Sequence, residues 1–226
     1  MGGTVFFDLD GTLTDPERGI TGSIQYALER LAVEVPEANA LTWCIGPPLL
    51  ESFQTLVGDE RAPAALAHYR ERYSTVGLYE NAPYSGIHDA LSGLRNAGFR
   101  LCIASSKPHV YVAKILERFE LIDFFSDVFG SELNGVRTDK SELLRFALSE
   151  TRVEPSDATM VGDRKHDIIG ALDNGIAAIG VLYGYGSLEE LARAGAKRFV
   201  DAPSEFLRSL GVLQIRPPTP APCRVR

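Results

Sequence analysis

The chain has 226 residues, 45% of them hydrophobic and 23% charged, ordinary globular usage that excludes a disordered, collagen-like or fibrous polymer. Lysine and arginine number 23 against 30 aspartates and glutamates, a formal charge of −7, so nucleic-acid binding, which needs a cationic surface, is not expected. No apolar run approaches the roughly 20 residues that span a bilayer, and the start lacks the cationic and long apolar regions of a secretory signal. Cys44, Cys102 and Cys223 are scattered and odd in number, which reads as reduced thiols in a cytoplasmic protein with no membrane partner.

In chain order, Thr4–Phe7 is a short apolar run ended by Asp8, predicted as a buried strand. Ile24, Ala27, Leu28 and Leu31, then Ala62, Ala65, Leu66, Tyr69 and Tyr73, fall at helical spacing. So do Ile87, Ala90, Leu91 and Leu94, ahead of a second strand at Leu101–Ala104 that ends in Ser105-Ser106-Lys107-Pro108. Val112, Ile115, Leu116 and Phe119 predict the next helix, Asp127–Phe129 a weaker strand, and Leu143, Leu144, Ala147 and Leu148 another helix. Thr159–Val161 predicts a strand ending at Gly162-Asp163, followed by a helix with Ile168, Ile169 and Leu172, and Ala177–Leu182 the last strand.

Strands alternating with helices predict an α/β protein with a Rossmann-like, doubly wound parallel sheet. Phe7 and Leu101 lie too far apart for one βαβ unit of about 30 residues. A small all-α cap, residues 15–82, is therefore expected as an insert after the first strand, with residues 1–14 and 83–215 forming the core. Residues 216–226 are rich in proline and arginine and are expected to be an unstructured tail.

Asp8 and Asp10 sit just past a buried strand, where an ionised carboxylate is costly unless paired or metal-bound. A lone Asp-Gly would read as a tight turn, but Gly162-Asp163-Arg164-Lys165-His166-Asp167 supplies a second acidic turn after another strand. Two such turns converge on one sheet edge, and crowded carboxylates with no Cys/His cluster call for a hard divalent ion, Mg2+ first. Ser105 and Ser106 could form an anion cradle or cap the following helix. Lys140 falls in the first turn of a helix capped by Thr138 or Asp139, against the helix dipole, which points to a paired role with a phosphate or an aspartate. Lys107, Arg164, Lys165 and His166 carry weaker signals, and solvent is the expected place for Lys165 and His166.

In this order these residues resemble the haloacid dehalogenase superfamily of phosphatases: Asp8-Leu9-Asp10-Gly11-Thr12, then Ser105, Lys140, and Gly162-Asp163 with Asp167. The resemblance implies that Asp8 is the nucleophile and forms an aspartyl-phosphate, that Asp10 is the general acid and then base, and that Lys140 steadies Asp8 and the phosphate. It implies Mg2+ held by Asp8, the main-chain carbonyl of Asp10 and Asp163, with Asp167 nearby. Gly11, Thr12, Ser105 and Ser106 would complete the phosphate site. The insert and its Ile45-Gly46-Pro47-Pro48-Leu49 segment resemble phosphoglycolate phosphatase-like members, so Gly46, Pro47 and Pro48 are expected to select the leaving group. Arg70 and Arg72 could reach an anionic substrate, although solvated charges are the expected reading. Ser105-Ser106 stands where many relatives have Thr-Asn, which points away from glycolate-specific enzymes and towards another substrate such as a nucleoside monophosphate. The expected function is a Mg2+-dependent phosphatase acting on a small phosphorylated substrate as a monomer or weak dimer. A phosphomutase and a non-catalytic phosphate-binding module are the alternatives. A dehalogenase would not need Asp10 or the acidic metal turn.

Overall fold

A computed structural model describes residues 2–212. Strand β1 (Thr4–Phe7) is buried along its length. Its side chains alternate, Val5 and Phe7 entering one apolar cluster and Phe6 another, as the two-residue period of a strand buried on both faces requires. A tight turn leads to the two-residue strand β2 (Thr14–Asp15). Helices α1 (Glu17–Arg30), α2 (Leu49–Val57) and α3 (Ala62–Tyr73) follow, with a 3-10 segment at Ala38–Cys44. Strand β3 (Ala82–Pro83) then returns antiparallel to β2, pairing Thr14 with Pro83 and Asp15 with Ala82. The helical segment therefore leaves and rejoins the sheet domain through one small ribbon.

The chain continues through α4 (Ile87–Asn96), β4 (Arg100–Pro108), α5 (His109–Arg118), β5 (Asp127–Ser131), α6 (Lys140–Thr151) and β6 (Ala158–Gly162). It ends with α7 (Lys165–Asp173), β7 (Ala177–Val181), α8 (Leu188–Arg193), β8 (Phe199–Val200) and α9 (Phe206–Ser209). Six strands make one parallel sheet in the order β5-β4-β1-β6-β7-β8. The chain winds outward from β1 to β5, crosses back, and winds outward again from β6 to β8, so the fold is α/β and doubly wound. Its switch point lies beside β1, and ligands bind outside the strand ends at such a point. Val112, Ile115 and Leu116 of α5 pack with Val5 and Phe7 on one face. Leu143 and Leu144 of α6 and Ile168 and Ala171 of α7 pack with Phe6 on the other.

Several expectations need correction. The second strand does not stop at Ala104. It runs to Pro108, with a register shift between Ser105 and Pro108 against β5. Pro108 precedes α5 as its N-cap, and no side chain caps that helix, so neither serine is a helix cap. The expected helix with Ile168, Ile169 and Leu172 is α7, which buries Asp167, Ile168, Gly170 and Ala171 and leaves Ile169 and Leu172 exposed. Strand β8 and the β2–β3 ribbon are too short to give a periodic signal. The proposed tail and Cys223 lie outside the described residues. Among those residues, Cys44 and Cys102 are buried and unpaired with each other, and no helix is long and apolar enough to cross a membrane.

Candidate active site

Asp8 leaves the end of β1, and Asp163 and Asp167 flank the end of β6 and the start of α7. Because β1 and β6 are neighbours, these three buried carboxylates meet, with oxygens that all lie within 4.8 Å of one another. Gly11 (φ +78°) lets the turn after Asp8 fold over this cluster, since a Cβ there would collide with the Asp163 carboxylate. Lys140, the first residue of α6, is buried and donates to Asp8 Oδ1 at 3.1 Å, Asp167 Oδ1 at 2.7 Å and the Ala104 carbonyl at 2.8 Å. Asp139 caps α6 by accepting the Glu142 N–H at 2.9 Å, which fixes the backbone from which Lys140 projects.

The electrostatics of the cluster fit a divalent cation. Burial pushes the Asp163 carboxyl well above the usual range, and Asp167 and Asp8 add to the effect. Asp163 accepts from the Tyr185 N–H at 2.8 Å and the Thr12 hydroxyl at 3.4 Å, and among the described residues it forms no ion pair. Burial raises Asp167 to about 6 in spite of Lys140. Burial also opposes the charge of Lys140, but Asp167 and Asp8 outweigh it and hold the ammonium well above its ordinary pKa. With Asp10 included, four acids face two ammonium groups, Lys140 and Lys107. A hard dication would balance that excess, and the donors are all oxygen.

Asp10 stands apart from the cluster. Its Oδ2 pairs with Lys107 Nζ at 2.5 Å, and its Oδ1 is buried with no hydrogen-bond partner among the described residues. Burial raises its pKa, and Lys107 opposes the shift. Lys107 also donates to the Tyr73 hydroxyl at 2.6 Å and lies over that ring, so α3 reaches into the site. Burial holds the Tyr73 hydroxyl protonated. Lys107, a weak candidate by sequence, is thus buried between two site residues. Its signal was its place immediately after Ser105-Ser106 at a strand end.

Asp8, Asp10, Ser105, Ser106 and Lys107 line the floor of a cavity of about 190 Å³. Ser105 is buried, and its hydroxyl accepts the Lys107 N–H at 3.4 Å. Gly11 and Thr12 do not line the cavity. The Gly11 N–H is bonded to the Thr14 carbonyl and the Thr12 N–H to that of Leu9, and the Thr12 hydroxyl donates to Asp163. Gly46, Pro47 and Pro48 do line it, as do Tyr69, Tyr73 and Tyr111. Arg70 also lines it and donates to the Leu133 carbonyl at 2.8 Å. Arg72 is a structural residue, paired with Glu80 at 2.9 Å and bonded to Ser23. Arg164 is buried against the helical segment, whereas Lys165 is exposed and His166 half-buried.

Three comparisons bear on this arrangement. The family model described as haloacid dehalogenase-like hydrolase matches residues 5–181. The chain is 47% identical over 189 residues to a protein of Pseudomonas aeruginosa named 5'-nucleotidase, covering 83% of this chain and 86% of that one. It is 37% identical over 210 residues to the tyrosine-protein kinase PtkA of Mycobacterium tuberculosis, covering 92% of this chain and 72% of that one. Among solved structures, that of a predicted phosphatase from Clostridium acetobutylicum superposes with a TM-score of 0.90 at 40% identity, covering 93% of this chain and 98% of the other.

Proposed function

Because the chain belongs to the haloacid dehalogenase-like hydrolases, we propose that it is a Mg2+-dependent phosphatase that hydrolyses a small phosphomonoester through an aspartyl-phosphate on Asp8. The observation that carries this reading is the meeting of Asp8, Asp163 and Asp167 within 4.8 Å, bridged by Lys140, with Asp8 also lining the cavity. Asp8 and Asp163, with the Asp10 carbonyl, would hold the ion, and Asp167, already bound to Lys140 and the Arg164 N–H, would sit beside it. Bound there, Mg2+ would offset the repulsion between these carboxylates and a phosphate dianion.

The residues of the chain divide the remaining work. Lys140 holds Asp8 Oδ1 and so aims the other oxygen of that carboxylate at the cavity. The Ser105 hydroxyl binds a phosphoryl oxygen. Asp10 keeps Oδ2 on Lys107 and has Oδ1 free to give a proton to the leaving group and later take one from water. Phosphoryl transfer asks a protein mainly for positioning and charge neutralisation, and this site supplies both. Residues 15–82 act as the cap that covers the site and shapes leaving-group selection.

Between the two substrate classes expected from the sequence, the cavity favours a nucleoside monophosphate over phosphoglycolate. Its upper walls are aromatic and proline-rich, with Tyr69, Tyr111, Pro47 and Pro48, which suits a bulky planar leaving group better than a small carboxylate. The 5'-nucleotidase name of the Pseudomonas relative supports the same choice. The test is a phosphate-release assay over nucleoside monophosphates, phosphoglycolate and sugar phosphates, with and without Mg2+, including ATP because of the relative named a kinase. Release from a nucleoside monophosphate that needs Mg2+ and falls to background in Asp8→Asn is expected. Full activity in that variant would remove Asp8 as the nucleophile.

A further inference from the structure

Arg164 is joined to the acidic cluster by its backbone and to the helical segment by its side chain. On one side it follows Asp163 directly, and its N–H donates to Asp167 Oδ2 at 3.1 Å. On the other, Nη1 donates to the carbonyl of Ile45 and, at 3.5 Å, to that of Trp43. Nε is fixed by Glu190 Oε1 at 3.0 Å, and the same oxygen accepts the Lys165 N–H at 2.9 Å. The guanidinium is therefore held in the fork geometry that only arginine offers. Gly46 presses on its stem: with φ at +103°, a Cβ on Gly46 would come 2.6 Å from Arg164 Cγ.

The segment Arg164 holds is the cavity wall. Cys44, Gly46, Pro47 and Pro48 line the cavity together with Tyr69 and Tyr73, and Arg164 does not. We propose that Arg164, braced by Glu190, is a positioning residue for leaving-group recognition. It seats the Trp43–Pro48 wall against the same loop that presents Asp163, so that the substrate-selecting face of the helical segment is in register with the phosphate end of the site. The proposal rests on the phosphatase reading for its kinetic arm only. Its chemistry is reversible hydrogen bonding, with no covalent step. A substrate that fills the cavity depends on this wall, whereas one with a small leaving group that leaves it untouched does not.

The experiment uses the full chain as Arg164→Lys and Glu190→Gln, the second variant keeping the guanidinium while weakening its brace. Lysine keeps the charge but cannot bond Glu190 and two carbonyls at once. Two readouts are taken: kcat and KM on uridine 5'-monophosphate and on methyl phosphate, and amide hydrogen exchange at Ile45, Gly46, Leu49 and Leu50. For Arg164→Lys, kcat/KM on the nucleotide should fall about tenfold further than on methyl phosphate, mostly through KM. That is the scale expected for loss of a charge-assisted hydrogen bond. Exchange in the wall should accelerate, less so in Glu190→Gln. Equal losses on the two substrates, or unchanged exchange in Arg164→Lys, would overturn the proposal. If the unaltered protein hydrolyses neither ester, the phosphatase reading fails by itself. The exchange comparison then decides the coupling alone, acceleration sustaining it and no change overturning it.

Discussion

Lys107 lies 2.5 Å from Asp10 Oδ2 and 2.6 Å from the Tyr73 hydroxyl, so one ammonium group links the carboxyl assigned to proton transfer with a helix of the inserted segment. Replacing it by methionine keeps the stem and removes the charge. Lys107→Met should lower kcat about a hundredfold on an alkyl phosphate, whose leaving oxygen needs a proton, the lower end of what general acid–base groups contribute. The loss on p-nitrophenyl phosphate should be much smaller, because that leaving group departs as a stable anion. Equal losses on the two esters would show that Lys107 supports the fold rather than Asp10. At this scale the acids were legible because short apolar runs mark strand ends, and carboxylates placed there need partners. Lys140 was legible because a cation in a first helical turn opposes the dipole. Lys107 and Arg164 were not, because their destinations are set by Tyr73 and by the Ile45 carbonyl, which are distant in sequence. The turn after Asp10 also commits the Gly11 and Thr12 N–H groups to the Thr14 and Leu9 carbonyls, a local arrangement that residue type alone does not reveal.

Helix α6 shows how an element carries a site residue. Lys140 begins it, and Leu143, Leu144 and Ala147 bury its inner face, so the helix is anchored by apolar packing while its first turn holds a cation against the dipole. Asp139 offsets that placement by capping with a carboxylate. Asp139→Ala should destabilise the protein by about 1 kcal/mol, read as a lower urea midpoint with an unchanged slope. Asp139→Asn should retain most of the stability. Comparable losses in both variants would mean that the charge, rather than the cap hydrogen bond, matters. The helices were legible here because each has enough turns to show a 3.6-residue period. Strand β4 was read too short because Ser105-Ser106-Lys107-Pro108 is polar, yet the sheet continues through it with a register shift. On α7 one charged residue is buried beside the apolar Ile168 and Ala171, Asp167 facing the cluster, with Gly170 lying against Lys140. A site that buries charge breaks locally the pattern from which helix faces are read.

For the whole molecule, the buried acids tie stability to pH and to metal. The net charge of −7 says nothing of where the acids lie, but the parallel order of β1 and β6 brings three of them together. In the metal-free protein burial raises Asp167 from an ordinary 3.8 to about 6 and raises Asp163 as well. Below pH 4 both the folded and unfolded chains hold these protons, and the groups leave stability unchanged. As pH rises from 4 to 6 the unfolded chain releases its protons while the folded one keeps them, so folding is progressively disfavoured by these groups. Above 6 Asp167 is ionised in the folded chain as well, and the loss from it is complete. A divalent ion acts in the opposite direction, since it binds the ionised cluster and is opposed by protons. The midpoint of thermal unfolding in EDTA and in excess Mg2+ should therefore differ little near pH 4.5 and clearly near pH 7.5, with the metal form the more stable. Asp163→Asn should shrink the difference at pH 7.5 by removing both a repelling charge and a ligand, and should stabilise the metal-free form. A Mg2+ effect that is equal at both pH values, or that survives in Asp163→Asn, would place the ion elsewhere and detach it from the carboxylates on which the proposed chemistry depends.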